Sequence, residues 1–299
     1  MEKTLKHRAK AFVLLCLLPA LGGCLRTTRS VMQTHPPAKV LSSSLDEIVK
    51  STTERFDHIQ TLKASVEMTA STGGGKEGKV VTYTSFTGYI LMRKPGDFHF
   101  IGLAPAIRTK MVDMVTDGKT FTLAIPPISQ ATIGSNDSPG TSTNALKNLR
   151  PQFFTDSLLI RSAKPDEMVS LVSDDRIYQP DPTKKYVVDE PEYDLGIYRS
   201  VANSTELKTQ RVIHIGRATL LPYQQDVYDE KGQLVTVVNY DDYKLFGENT
   251  FASKITIRRP IDGLTLRVTI TQLALNSQLD DEQFEAPHIP STYKVERLP

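Results

Sequence analysis

Leu264, Leu266, Val268 and Ile270 alternate with Thr265, Arg267, Thr269 and Thr271. That period of two, which puts successive side chains on opposite faces of a strand, recurs through most of the chain. Leu62, Ala64, Val66, Met68 and Ala70 repeat it. A long strand over about 79–93 carries Val81, Tyr83, Ser85, Thr87, Tyr89 and Leu91 on one side. Further strands are expected to open at Phe98 and Phe100, to run over Arg108–Val115 and Thr120–Ala124, and to recur at about 168–173, 185–189, 195–202, 210–217, 222–229, 233–243, 250–259 and 264–273. Turn residues punctuate them: Gly73-Gly74-Gly75, Pro95-Gly96, Asp117-Gly118, Glu230-Lys231-Gly232 and Asp262-Gly263. Helical signals are few. Ser44-Leu45-Asp46-Glu47 has the form of a capping box, and Leu45, Ile48, Val49, Thr52, Phe56 and Ile59 follow at helical spacing, which predicts a helix over about 45–59. A second helix is expected near 145–160, interrupted by Pro151. Pro126 to Asn144 reads as a loop. Many sequential hairpins and few helices imply a mainly β fold, a curled antiparallel sheet or incomplete β-barrel, with the N-terminal helix as its lid. Such a sheet, incompletely filled, leaves an apolar cavity.

The first residues describe export. Lys3, Lys6, Arg8 and Lys10 face one acid, Glu2, and precede an apolar run from Ala11 to Leu21 broken by Pro19. The run is shorter than the ~20 apolar residues of a spanning helix, and it ends at small residues before a cysteine, so residues 1–23 read as a signal peptide. Leu21-Gly22-Gly23-Cys24 resembles the lipobox of bacterial lipoproteins. That resemblance implies a lipidated Cys24 as the first mature residue, anchored by acyl chains, with a flexible tether over 24–43. Cleavage would remove Cys16, leaving no thiol pair for a disulfide. The precursor's net charge of +2 resides in the leader. A near-neutral mature chain has no electrostatic footprint for nucleic acid.

Enzyme motifs are absent. Gly118-Lys119-Thr120 lacks the earlier glycine of a phosphate loop, because position 113 is Asp113. There is no Gly-x-Ser-x-Gly elbow. His7, His35, His58, His99, His214 and His288 do not pair at metal-ligand spacing with another His or a Cys. Asp174-Asp175, Asp241-Asp242 and Asp280-Asp281 are adjacent acids, which a strand would send to opposite faces. No catalytic residue, metal or cofactor is expected.

Gly88-Tyr89-Ile90-Leu91-Met92-Arg93-Lys94-Pro95-Gly96-Asp97-Phe98-His99-Phe100, with Met114 to Phe121 downstream, resembles the lipoprotein-carrier family of the bacterial Lol pathway. Asp280-Asp281-Glu282-Gln283-Phe284 before Pro287 is similar to that family's closing turn. The resemblance is clearest over about 45–125 and looser over 210–287. It implies a single half-barrel domain over 44–299 with an insertion at about 126–205. The family fold is a curved, incomplete barrel with a helical lid, whose cavity shields the acyl chains of lipoproteins from water. The receptor type is itself a lipoprotein of the outer membrane, fed by a periplasmic carrier protein; Cys24 places this chain nearer that type, while Gly88 to Phe121 resembles the carrier at least as much. Leu25 after Cys24 is not an aspartate, which by the enterobacterial sorting rule favours the outer membrane.

The resemblance implies three kinds of site. Leu103 and Ile107 take the place of the receptor's membrane-inserting loop, a buried turn being the alternative. Val66, Met68, Tyr89, Leu91, Phe98, Phe100, Met111, Phe121, Leu123, Leu266, Val268 and Ile270, the aromatic and aliphatic residues of the strands' inward faces, are candidates for the cavity lining or equally for packed core, since the sequence does not fix which face points inward. Arg93 becomes a candidate contact for a polar head group. Two other roles fit the same fold: a stress-sensing or assembly module with a protein partner, and a structural lipoprotein with a filled core. A carrier needs its apolar surface inside the sheet, whereas a partner-binding module needs an exposed aromatic patch.

Overall fold

The computed structural model describes residues 33–35, 39–73, 78–137 and 149–298. The signal peptide and Cys24 lie outside these residues. In chain order the strands are β1 (Gln33–His35), β2 (Thr61–Gly73), β3 (Val80–Thr82), β4 (Phe86–Arg93), β5 (Asp97–Leu103), β6 (Lys110–Asp117), β7 (Thr120–Ile125), β8 (Gln130–Ser135), β9 (Glu167–Tyr178), β10 (Tyr186–Ser200), β11 (Leu207–Gly216), β12 (Leu221–Tyr228), β13 (Leu234–Phe246), β14 (Asn249–Arg259), β15 (Leu264–Leu275) and β16 (Lys294–Arg297). The described residues form two compact units. The smaller holds residues 33–35 and 177–189, where β1 runs parallel to the first residues of β10 and His35 meets Tyr186 edge-on at 5.0 Å.

The larger unit, residues 39–176 and 190–298, is a curled sheet. Its strand order is β10-β11-β12-β13-β14-β15-β2-β4-β5-β6-β7-β8-β16. Neighbours in this path are antiparallel apart from β16, which runs parallel to β8. The two ends of the path do not pair with each other, so the barrel is incomplete. The curl follows from the core: Leu195, Ile213 and Ile215 from one end share a single cluster with Phe98, Met114 and Phe121 near the other. A flat sheet would hold those side chains many strands apart at about 4.8 Å per strand.

Register decides which face is inside. Across β15, β2 and β4 the pairs Ile270–Val66, Val268–Met68, Ala64–Ile90 and Leu62–Met92 stand side by side, all buried. The inward residues of β4 are therefore Gly88, Ile90 and Met92. The expected long strand over 79–93 is two, β3 and β4, and its expected inward row, which included Tyr89 and Leu91, is turned outward. Alternation states which residues share a face but not which face is covered. Over 185–202 the two expected strands are one, β10, which continues through Pro191.

The N-terminal helix starts as its capping box dictates. Ser44 Oγ accepts from Glu47 N–H at 3.3 Å, and Glu47 Oε2 accepts from Ser44 N–H at 2.8 Å. α1 (Leu45–Val49) buries Ile48 completely, then passes through a π-helical turn (Lys50–Glu54) into α2 (Arg55–Asp57). Ser51 and Thr53 hydroxyls donate to the Ile48 and Val49 carbonyls inside this turn, which competes with the regular ladder. The second helix, α3 (Pro151–Leu158), begins at the proline instead of being broken by it. Proline at the first helical position loses no hydrogen bond, because that N–H has no intrahelical partner. The span expected as a loop over 126–144 contains a 3₁₀ turn (Pro126–Ile128) and β8. Among the described residues no helix is long and apolar enough to cross a membrane.

Candidate functional site

The hairpins deliver two aromatic side chains, Phe98 and Phe100, to the concave face of β5, and both are buried. α3 lies over them. The Phe154 ring stacks on Phe98 with centroids 5.5 Å apart and on Phe100 at 5.7 Å, each with a 22° interplanar angle. Such offset pairs add ~0.5–1.5 kcal/mol each beyond the area they bury. Leu158, one helical turn on, is also buried. The concave face is thus packed over these residues by a two-turn helix.

A cavity of about 360 Å³ opens beside it. Its walls are Ile59 to Leu62 from the start of β2, Met92 to Asp97 from the β4–β5 turn, Thr116 and Gly118, Asn136 and Asp137, and Pro151, Gln152, Thr155, Asp156, Leu159 and Arg161 from α3 and beyond. Two tight turns define the floor. Gly118 adopts φ of +88°, and a Cβ on Gly96 would stand 2.7 Å from Gly118 Cα, so neither accepts a side chain easily. The volume falls within the range of ligand sites. Ile59, Leu62, Met92 and Leu159 make one part apolar, whereas Asp156, Arg161, Thr116 and Asn136 make another polar.

Charge in that wall is ordered. Arg161 grips the buried Glu167 carboxylate with two donors, at 2.8 and 2.9 Å. The bidentate hydrogen bond holds Glu167 down at about 2. Arg211 is buried and donates to the Arg161 carbonyl at 3.1 Å. Burial, with Arg161 close by, lowers its guanidinium to about 10. Burial also pushes the Asp156 carboxyl up, against the pull of Arg211 and Arg161.

The residues anticipated from sequence divide into three groups. Val66, Met68, Phe98, Phe100, Phe121, Leu123, Leu266, Val268 and Ile270 share the buried core cluster, and none borders the cavity. Tyr89, Leu91 and Met111 lie on the opposite face, correcting their expected inward placement. Register pairs Leu91 with His99 and Tyr89 with Ile101, and the Tyr89 hydroxyl accepts from Arg108 at 2.8 Å. On β6 it is Val112 and Met114 that face the core.

Arg93 borders the cavity, but its guanidinium is already engaged. Its guanidinium bridges Asp97 at 2.7 Å and Asp281 at 2.8 Å, donates to the Leu279 carbonyl at 3.3 Å and lies 4.8 Å from the centre of the Phe284 ring. It fastens the C-terminal 3₁₀ turn (Asp281–Phe284) to the sheet, so it is not a free cation awaiting a head group. His99 fastens the same turn, with Nδ1 against the Gln283 carbonyl and Nε2 2.8 Å from Asp113. Burial opposes the Asp113 charge, but His99 and Lys110 outweigh it and hold the carboxyl below its usual range.

Leu103 and Ile107 separate sharply. Leu103 ends β5 and is 9% exposed, whereas Ile107 stands at the loop tip and is 73% exposed. Ala106 and Arg108 flank it at φ of 65° and 53°, a left-handed conformation that non-glycine residues seldom adopt. Ile107 is the loop's one exposed large apolar side chain. It lies at the opposite end of β5 from the cavity, about 20 Å away by strand rise.

Sequence reasoning missed Phe154 and the α3 residues of the cavity wall. The amphipathic spacing Pro151, Phe154, Leu158 was the available signal, masked by reading Pro151 as a breaker.

No family model matches this chain, and no curated protein matches it in sequence. Solved structures do. A DUF1329 family protein from Desulfovibrio piger ATCC 29098 is 17% identical, with a TM-score of 0.51 over 80% of this chain and 95% of that one. A LolA superfamily protein from Nitrosomonas europaea is 15% identical, with a TM-score of 0.47 over 82% of this chain and 98% of that one. A domain assigned as an outer membrane lipoprotein-sorting protein, from Vibrio parahaemolyticus, is 14% identical, with a TM-score of 0.49 over 80% and 94%. At 17% identity the likeness to the Desulfovibrio piger protein is one of fold alone.

Proposed function

We propose that this protein is a non-enzymatic, lipid-anchored component of a bacterial envelope that takes up acyl chains and passes lipoproteins or lipids to or within the outer membrane. The observation that carries the reading is the arrangement of α3. A single two-turn helix separates a solvent-connected cavity from a continuous row of apolar side chains on the concave face of an open sheet. An acyl chain that displaces Phe154 from Phe98 and Phe100 would lie along the strands, from the cavity toward the Ile107 loop. The resemblance of residues 88–121 to lipoprotein carriers supplies the class of cargo.

The energetics suit such a role. Each methylene removed from water is worth ~0.8 kcal/mol, so a long chain can offset the loss of two ring stackings. Transfer then runs toward whichever site shields the chain better, and no bond is made or broken. The segment over about 126–205, which holds β8, α3, β9 and β10, supplies the plug in this account. Cys24 would tether the body to the membrane, and Ile107 would touch the bilayer at delivery.

A fluorescent peptide bearing an N-terminal diacylated, N-acylated cysteine tests the reading. The expected result is saturable one-to-one binding by the protein and transfer of the peptide to liposomes faster than its spontaneous release. Absence of binding, with the unacylated peptide behaving identically, would remove the proposal.

A further inference from the structure

Three ligating side chains converge on the face of the sheet away from the groove. On β10 and β11 the core takes Tyr193, Leu195, Ile213 and Ile215, so Glu192, Asp194 and His214 point the other way. Asp194 is the register partner of His214. The ring Nδ1 lies 2.7 Å from Asp194 Oδ1 and 3.8 Å from Glu192 Oε1. One ligand atom from each residue falls within 4.8 Å of the other two.

The surroundings hold these groups in place. Tyr223 donates its hydroxyl to the other Glu192 oxygen, Oε2, which leaves Oε1 turned to the ring. Arg176 lies over the Tyr223 ring, 3.7 Å from its centre, and pairs with Glu190 at 2.7 Å. The second ring nitrogen, Nε2, is buried without a hydrogen bond and faces Asp226 Oδ2 of β12 at 3.6 Å. Glu190, Glu192, Asp194 and Asp226 thus bring four carboxyl groups around one guanidinium and one imidazole. The His214 and Asp194 side chains keep 17% and 24% of their surface in solvent, a route by which a small cation can enter.

We propose that Glu192, Asp194 and His214 form a binding site for a divalent first-row cation, Zn²⁺ being the one that an imidazole with two carboxylates suits best. The donors are His214 Nδ1, Asp194 Oδ1 and Glu192 Oε1. Around a tetrahedral zinc with bonds of ~2.0–2.1 Å, ligand atoms stand about 3.3 Å apart, so the separations of 2.7 and 3.8 Å from His214 need change by about half an ångström, and that between the two carboxylates, within 4.8 Å, by at most about 1.5 Å. Asp226 then accepts from Nε2–H and fixes the ring, the usual outer partner of a metal-bound histidine. The remaining coordination position faces solvent and is open to water or to an acidic group of a partner. Such an ion would cross-link β10 to β11 on the outer face and would not enter the groove.

The test is calorimetric titration of Zn²⁺ into the mature protein, stripped with a chelator and held in detergent. The expected result is one ion per chain, with affinity reduced at least tenfold by Glu192→Gln or Asp194→Asn, at least a hundredfold by His214→Ala and about tenfold by Asp226→Asn. His58→Ala and His288→Ala should leave it unchanged. Circular dichroism checks that each variant is folded; if His214→Ala is not, the two near-isosteric carboxyl variants decide. No saturable uptake, or uptake that Glu192→Gln and Asp194→Asn both retain, would overturn the site and leave Asp194–His214–Asp226 as an ion-pair ladder.

Discussion

Ile107 and Leu103 sit four residues apart and should respond oppositely to the same change. Leu103→Glu would bury an unpaired carboxylate at the end of β5, so a loss of several degrees in melting temperature is expected. Ile107→Glu meets solvent and should leave melting within about a degree. If the loop touches membranes at delivery, the Ile107 variant should bind acylated peptide normally yet release it to liposomes several-fold more slowly; unchanged delivery would remove the loop from the mechanism. Glu167 offers a residue-scale pH prediction. Its folded value of about 2 lies below the ordinary 4.5, so its stabilising contribution is complete above about pH 4.5 and is lost as pH falls toward 2. Acid titration of unfolding should show that slope, and Glu167→Gln should flatten it. The sequence made the apolar set of β2 and β15 readable because one face of each alternates cleanly. In β4, residues 88–92 are small or apolar on both faces, so Tyr89 and Leu91 were indistinguishable from Ile90 and Met92 until pairing with β2 fixed the register.

At the scale of elements, the helices carry the argument. The capping box at Ser44 was legible because its chemistry is local, and Ser44→Ala should cost about 1 kcal/mol in denaturant unfolding. The π-helical turn that follows was not legible, since it depends on hydroxyls choosing helical carbonyls over solvent. α3 was half legible: its apolar spacing is in the sequence, but its place over Phe98 and Phe100 is set by long-range packing. Phe154→Ala should destabilise the protein by about 3–5 kcal/mol, as truncation of a buried aromatic does. The same change should tighten acyl binding by tenfold or more, because no ring then has to be displaced. Weaker binding by a folded Phe154→Ala protein would mean that the ring is a contact for the ligand and not a plug.

For the molecule as a whole, hairpin after hairpin in sequence order forces an antiparallel meander, and that much follows from turn chemistry. The closure of β15 on β2, which joins the two halves of the sheet across some two hundred residues, has no local signal and comes from the shared apolar core. The groove is open at its edges because β10 and β16 do not pair with each other. The central claim is that this open sheet holds an acyl chain beneath α3. The most direct measurement is native mass spectrometry of a Cys24→Ala protein, exported with its leader and recovered from the periplasm without detergent. The account predicts a bound species whose mass matches a lipid or a lipidated peptide, present at up to one per chain and more abundant in Phe154→Ala. A protein that flies only at its bare mass, and stays so after incubation with acylated peptide, would contradict it.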